Sequence, residues 1–325
     1  MFPKVLASAA TSIALILAAA APVAAHVRED DRQGLIVAER YSAENGGHPQ
    51  IVAVRPTDGR VRVLTSGHRD TAADLSPDGQ SIVFERCLHA LNCDEIGALN
   101  IWIMRADGSH QHPLTACDGT KCLGSEDPAF SPDGRFVAFS QDLLDANGVN
   151  FQGIFIMRAD GTQLRRITSN GPDTLPDTSA HFSPDGRQLV FAREVPGGSQ
   201  LMIVGADGSG LRPLVNGVGP NWSPDGKHVA FGLARTSGNT TTFDIATARP
   251  DGTEVRPLTN EPADLRAAFE PDYSPTGRRI VFSEADASGC RLVTIGATGG
   301  HPRTLPTGEG CYFNPSWGPG PLVRG

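Results

Sequence analysis

FSPDGRQLVFAR, residues 182–193, has close copies along the chain: LSPDGQSIVFER at 75–86, FSPDGRFVAFSQ at 130–141, WSPDGKHVAFGL at 222–233 and YSPTGRRIVFSE at 273–284. Its serine stands at 76, 131, 183, 223 and 274. The spacings of 55, 52, 40 and 51 give a period near 50, which indicates a propeller blade or a solenoid unit. The copy itself reads as a hairpin, because Pro-Asp-Gly supplies a tight turn with Gly at φ > 0 between short runs of Val, Ile and Phe. A second hairpin follows each first one: IWIMRADGSHQHPLT at 101–115, IFIMRADGTQLRRIT at 154–168, LMIVGADGSGLRPLV at 201–215, FDIATARPDGTEVRPLT at 243–259 and LVTIGATGGHPRTLP at 292–306. Two hairpins give four antiparallel strands per unit, which is one blade.

Counting units predicts an all-β, six-bladed propeller. Residues 35–65 form the first unit: LIVAER at 35–40 matches IVFER at 82–86, and QIVAVRPTDGRVRVLT at 50–65 is its second hairpin. That unit lacks an innermost strand, whereas YFNPSWGPG at 312–320 is an inner strand and turn with nothing after it. The C-terminal strand is therefore expected to complete the first blade and close the ring, removing free sheet edges. These repeats resemble those of TolB-like propellers and of the propeller domains of prolyl-oligopeptidase-like enzymes. The resemblance covers about residues 35–320, and it implies a fold more than a role, since no TolB-type α/β domain precedes the repeats in this sequence.

The N-terminus sets the expected compartment. Lys4, the apolar run from Val5 to Ala21, and small residues Val23 and Ala25 before His26 form a secretory signal with a cut after residue 25. The domain reading is thus 1–25 signal peptide and 26–325 a single propeller, secreted or periplasmic, with no membrane span after cleavage and monomeric. The formal charge of −8 argues against nucleic acid as a partner. Cys87, Cys93, Cys117, Cys122, Cys290 and Cys311 are an even set in an exported chain and favour disulfides. Local pairing 87–93, 117–122 and 290–311 is preferred among the connectivities open to them. Zinc at Cys117 and Cys122 is the weaker alternative, because no matching pair stands nearby.

In such blades the SPDG and ADG turns share one face, and the variable loops share the other. Those loops are expected at 87–100, 141–153, 194–200 and 233–242, and at 116–127, 169–179 and 260–271. Loops on a rigid scaffold usually carry function, so binding is expected there. The Asp of the turn, at 78, 133, 185 and 225, is read as a turn residue and not as a ligand. Counting back from the motif Ser, position −1 carries Leu75, Phe130, Phe182, Trp222, Tyr273 and, in the closing strand, Trp317, which should pack between blades. Strict alternation then turns positions −2 and −4 to the channel, where Asp74, Asp127, Ser179, His181, Asn221, Glu270, Asp272 and Asn314 form a polar mouth. Acidic residues of the loops, Asp94, Glu95, Asp142, Asp145, Asp173 and Asp177, add to it, and few cations offset them.

Catalytic motifs are absent from the sequence. No G-x-S-x-G elbow exists, since Ser199 has Leu201 where the second Gly belongs. His110 and His112 lack a third metal ligand, and the segment from Asp145 to Asn150 is only half of a calcium loop. The reading is a protein- or ligand-binding module of the cell envelope, its partner a basic protein or peptide segment or a glycan, with no cofactor expected and Ca²⁺ an occupant open to the mouth carboxylates. The alternative is a metal-dependent hydrolase or lyase using the same mouth.

Overall fold

The computed structural model describes residues 34–88, 93, 97–144, 150–168, 176–237, 240–260 and 266–320. The signal segment and the loop acids Asp94, Glu95, Asp145 and Asp173 lie outside the described residues. Six four-stranded antiparallel sheets follow one another. Blade two, from the axis outward, is Arg69–Leu75, Ser81–Cys87, Leu99–Arg105 and His112–Pro113, and the inner strands of blades three to six are Cys122–Phe130, Asp177–Phe182, Val218–Trp222 and Arg266–Tyr273. Blade one takes its inner strand, Cys311–Gly318, from the other end of the chain and pairs it antiparallel with Leu35–Tyr41. The predicted closure is the observed one.

The motif folds as its residues dictate. In the turns at Ser76, Ser131, Ser183 and Ser223 the buried hydroxyl donates to the Asp two residues on, at 2.6–2.7 Å, and accepts the N–H five residues on, at 2.9 Å. The same Asp accepts a backbone N–H across the turn, at 3.0–3.1 Å in each. The Asp is therefore occupied within its own reversal, the turn role expected of it. Phe84, Phe139, Phe191, Phe231 and Phe282, from the same motif position, are fully buried, and the apolar clusters run across blade boundaries. Val37, Ile51 and Ala53 of blade one meet Leu75, Ile82 and Phe84 of blade two in one such cluster.

Arginines at the outer rim tie successive blades together. Arg62 donates to the Ala106 carbonyl at 2.9 Å, Arg165 to Ala206 at 2.7 Å, Arg212 to Pro250 at 2.8 Å and Arg303 to Thr57 at 2.7 Å. All three preferred disulfides are formed, with Cα–Cα separations of 5.6 Å for 87–93, 4.7 Å for 117–122 and 4.5 Å for 290–311. The expected loops at 141–153, 194–200 and 233–242 are shorter than predicted. Phe136–Leu144 with Asn150–Arg158, Gln188–Val195 with Gly198–Gly205, and Val229–Ser237 with Thr240–Ala248 keep pairing beyond the blade core. β-Branched residues such as Val195, Thr236 and Thr240–Thr242 suit an extended ribbon, so the hairpins run on. No helix among the described residues is long and apolar enough to cross a membrane.

Candidate binding site in the central channel

Each inner strand loses its register four residues before the end of its hairpin arm. The left-handed residues there are Ala72 (φ 45°), Asp127 (51°), Ser179 (54°), Gly219 (53°), Glu270 (56°) and Asn314 (45°). Pairing shifts at the same places, between Thr71 and Asp74, Glu126 and Ala129, Thr178 and His181, Val218 and Asn221, and Phe269 and Asp272. A bulge inserts an extra residue, so strict alternation fails and position −3 also faces the axis. Ala73, Pro128, Pro220, Pro271 and Pro315 line the channel beside the residues predicted from alternation.

Asp74, Asp127, His181, Asn221, Glu270 and Asn314 come together around one cavity of about 330 Å³, with Ser179 and Ser316. Asp272 does not line it. Its carboxylate instead accepts the Asn221 amide at 2.7 Å and the Trp317 N–H.

The acids do more than face the channel. Asp74 accepts the Phe130 N–H of the next blade and the Ser316 hydroxyl, both at 2.7 Å. Asp127 takes the Ser179 N–H at 3.2 Å and its hydroxyl at 3.1 Å through one oxygen, Oδ2. Glu270 takes the Asn314 N–H at 2.6 Å and the Ser283 hydroxyl at 3.0 Å, also through a single oxygen, Oε2. Both side chains line the cavity, and among the described residues neither Asp127 Oδ1 nor Glu270 Oε1 makes a hydrogen bond. Burial raises the pKa of each acid against these bonds: Asp74 to about 6, Glu270 to about 7 and Asp272 to about 8, and Asp127 upward. Burial pushes His181 down to about 4, so its imidazole is neutral.

Three further acids escaped the sequence reading. Glu39 accepts the Ala72 N–H at 2.7 Å and the Asn314 amide, Glu85 accepts the Thr71 hydroxyl at 2.9 Å, and Glu126 stands beside Asp127. Glu85 is raised well above the usual range by burial and by Asp127, Glu126 and Glu39, while burial, Asp127 and Asp142 lift Glu126 to about 7. The signal was available, since Glu39 and Glu85 occupy one place in the aligned LIVAER and IVFER. Aromatic rings adjoin these acids: Phe269, which lines the cavity, stacks on Phe313 at 5.8 Å, and Tyr41 meets Phe313 edge-on at 5.6 Å.

Asp177 is a correction to the acidic mouth. It is fully buried in a bidentate pair with Arg193, at 2.6 and 2.8 Å, and contributes no free charge. The pair repeats in blade two, where Asp70 holds Arg86 at 2.7 and 2.9 Å. Cations thus offset the loop face more than its sequence implied. Among the described residues no group of three or more His, Cys, Asp or Glu side chains is placed to hold a metal ion.

With this ring and channel in view, the comparisons with known proteins are direct. The family described as TolB beta propeller domain matches residues 123–321. The chain belongs to that TolB propeller family. An uncharacterized protein of Agrobacterium fabrum is 25% identical over 270 residues, covering 76% of this chain and 80% of its own length. A protein named TolB homolog from Chlorobium luteolum is 33% identical over 157 residues, which is 47% of this chain and 33% of that protein. Among solved structures, TolB from Acinetobacter baumannii superimposes with a TM-score of 0.70 at 21% identity, covering 89% of this chain and 67% of that one. At that identity the match establishes the TolB propeller fold alone.

Proposed function

We propose that this TolB-like propeller is an exported binding module of the cell envelope that holds a basic segment of a protein partner at its channel mouth. The observation that carries the reading is the division of labour within Asp127 and Glu270. One oxygen of each ties neighbouring blades, and the other makes no hydrogen bond among the described residues, in side chains that line a cavity bordered by Phe269. A Lys or Arg side chain supplies the donors those oxygens lack and stacks favourably on an aromatic face. The signal-like N-terminus and the three disulfides support an oxidising compartment outside the cytosol. Ca²⁺ is the competing occupant of the same oxygens.

The test uses the mature chain and its Asp127→Asn/Glu270→Gln variant as baits in extracts of the host envelope, at low and at raised salt. The parent is expected to retain a basic partner that salt weakens, and the variant to lose it. Equal retention with equal salt dependence would sink the reading. Melting each protein with and without Ca²⁺ separates the ion from the partner, because only an ion site shifts the parent's midpoint in the absence of any peptide.

A further inference from the structure

Among the described residues, channel-side hydrogen bonds link neighbouring blades at five of the six junctions. Blade one meets blade two through Glu39 and Ala72 N–H, and through Ser316, whose hydroxyl accepts the Leu75 N–H at 3.2 Å. Blade two meets three through Asp74 and Phe130, three meets four through Asp127 and Ser179, five meets six through Asn221 and Asp272, and six meets one through Glu270 and Asn314. Among the described residues no such bond spans blades four and five. His181 holds the position that bonds forward in blades two, five and six, and among the described residues its imidazole makes no hydrogen bond.

A groove of about 790 Å³ opens at this seam, between the ribbons 188–205 and 229–248. The residues at the seam are small and apolar. Where blades two and four carry Asp70 with Arg86 and Asp177 with Arg193, blade five carries Gly217 and Leu233. The groove shares Ser179, Val218 and Gly219 with the channel cavity, so the two are continuous. Its walls are neutral apart from Glu194: Ser199, Asn216, Thr236 and Thr241 offer hydroxyls and an amide, and Leu233 and Phe243 offer apolar surface. In the ring of bulges Asp127 and Glu270 flank its inner end, on blades three and six.

We propose that the groove between blades four and five is a binding site for an extended peptide segment whose Lys or Arg lies in the channel. The proposal rests on the reading of the channel as a cation-accepting mouth and adds the path and register of the bound chain. The charge pattern selects this occupant: hydroxyls and amide satisfy a peptide backbone, the apolar walls take small side chains, and the acids at the inner end take one cation.

The probe is a series of eight-residue Ala/Thr peptides with a single Arg placed at each position in turn, titrated against the mature protein. Affinity should peak with Arg near one terminus and fall about tenfold or more for the peptide without Arg. Ala234→Trp, from an exposed position on the groove wall, should weaken the best peptide about tenfold and leave its salt dependence unchanged. Thr236→Trp should do the same from a second exposed wall position. If both Trp variants bind like the parent while Asp127→Asn/Glu270→Gln loses the peptide, the groove proposal fails and the mouth reading stands. If peptides bind equally to the parent and to that acid double variant, the mouth reading fails as well. Absence of peptide binding up to about 1 mM, or binding of chitohexaose in its place, overturns the peptide occupant.

Discussion

Arg86 is committed to three neighbours at once. It is buried against fully buried Asp70, bonds Gln111 at 2.8 Å, and lies 4.6 Å over the ring of Trp102. Removing one partner of a buried pair strands the other charge, so Arg86→Ala should cost about 3–5 kcal/mol in urea unfolding. The double change Asp70→Asn/Arg86→Met should recover much of that loss, because it leaves no unpaired charge. A loss below about 1 kcal/mol in the single variant would show that the pair is not a support of blade two. Neither Asp70 nor Asp177 was legible as a pair member, because the partner is 16 residues away across a turn. The equal offset of Asp70 to Arg86 and of Asp177 to Arg193 was the one trace in the sequence. The SPDG aspartates were legible, since their chemistry is local and repeats with the turn.

The inner strand is the element on which sequence reading and structure part. Its hairpin and its aromatic at −1 follow from period-two patterning, and Leu75, Phe130, Trp222, Tyr273 and Trp317 are buried as expected, while Phe182 is half-buried. The bulge at −4 does not follow from that pattern. Its signature is a residue tolerant of φ > 0 followed by Pro, as in Asp127-Pro128, Gly219-Pro220 and Asn314-Pro315. Ala72 fits the ring poorly, as an Ala held at φ 45°, its N–H donated to the Glu39 carboxylate at 2.7 Å. Ala72→Gly should therefore stabilise the protein by about 0.5–1 kcal/mol, read from the urea midpoint at constant m. The strand acids set the response to pH. Asp74, Glu270 and Asp272, raised to about 6, 7 and 8, keep protons in the folded state that the unfolded chain gives up near pH 4. The folded state then binds more protons across that window, so stability should fall as pH rises from about 5 to 8 and level off above. Asp272→Asn, which keeps an acceptor for the Trp317 N–H, should flatten the upper part of that slope in calorimetric melts. An unchanged slope would move the titration to another group.

At the scale of the whole molecule the ring stands or falls with one strand. Cys311–Gly318 pairs with Leu35–Tyr41 from Tyr41 opposite Cys311 to Leu35 opposite Gly318, and it buries Tyr312 and Trp317 against Ile36, Val52, Val281 and Leu292. Closure was legible because a unit lacking its inner strand and an inner strand lacking its unit were both visible in the sequence. The groove at the fourth junction was not, because it depends on which inter-blade bonds fail to form. The Cys290–Cys311 bridge fastens the closing strand to the third strand of blade six, Gly289–Gly296, and Arg303 adds its bond to Thr57. Cross-linking residues 21 apart restricts the unfolded chain, so Cys290→Ser/Cys311→Ser should lose about 2–4 kcal/mol and still fold. Deleting residues 311–325 removes the strand itself, leaving Leu35–Tyr41 as an unpaired edge above an open apolar cluster, and should give aggregation or a large fall in melting temperature. Thiol titration of the denatured, unreduced parent should meanwhile find no free cysteine. A truncated chain that stays monomeric and melts with the parent would mean that blade one closes without its C-terminal strand, and the ring would need another account of its cohesion.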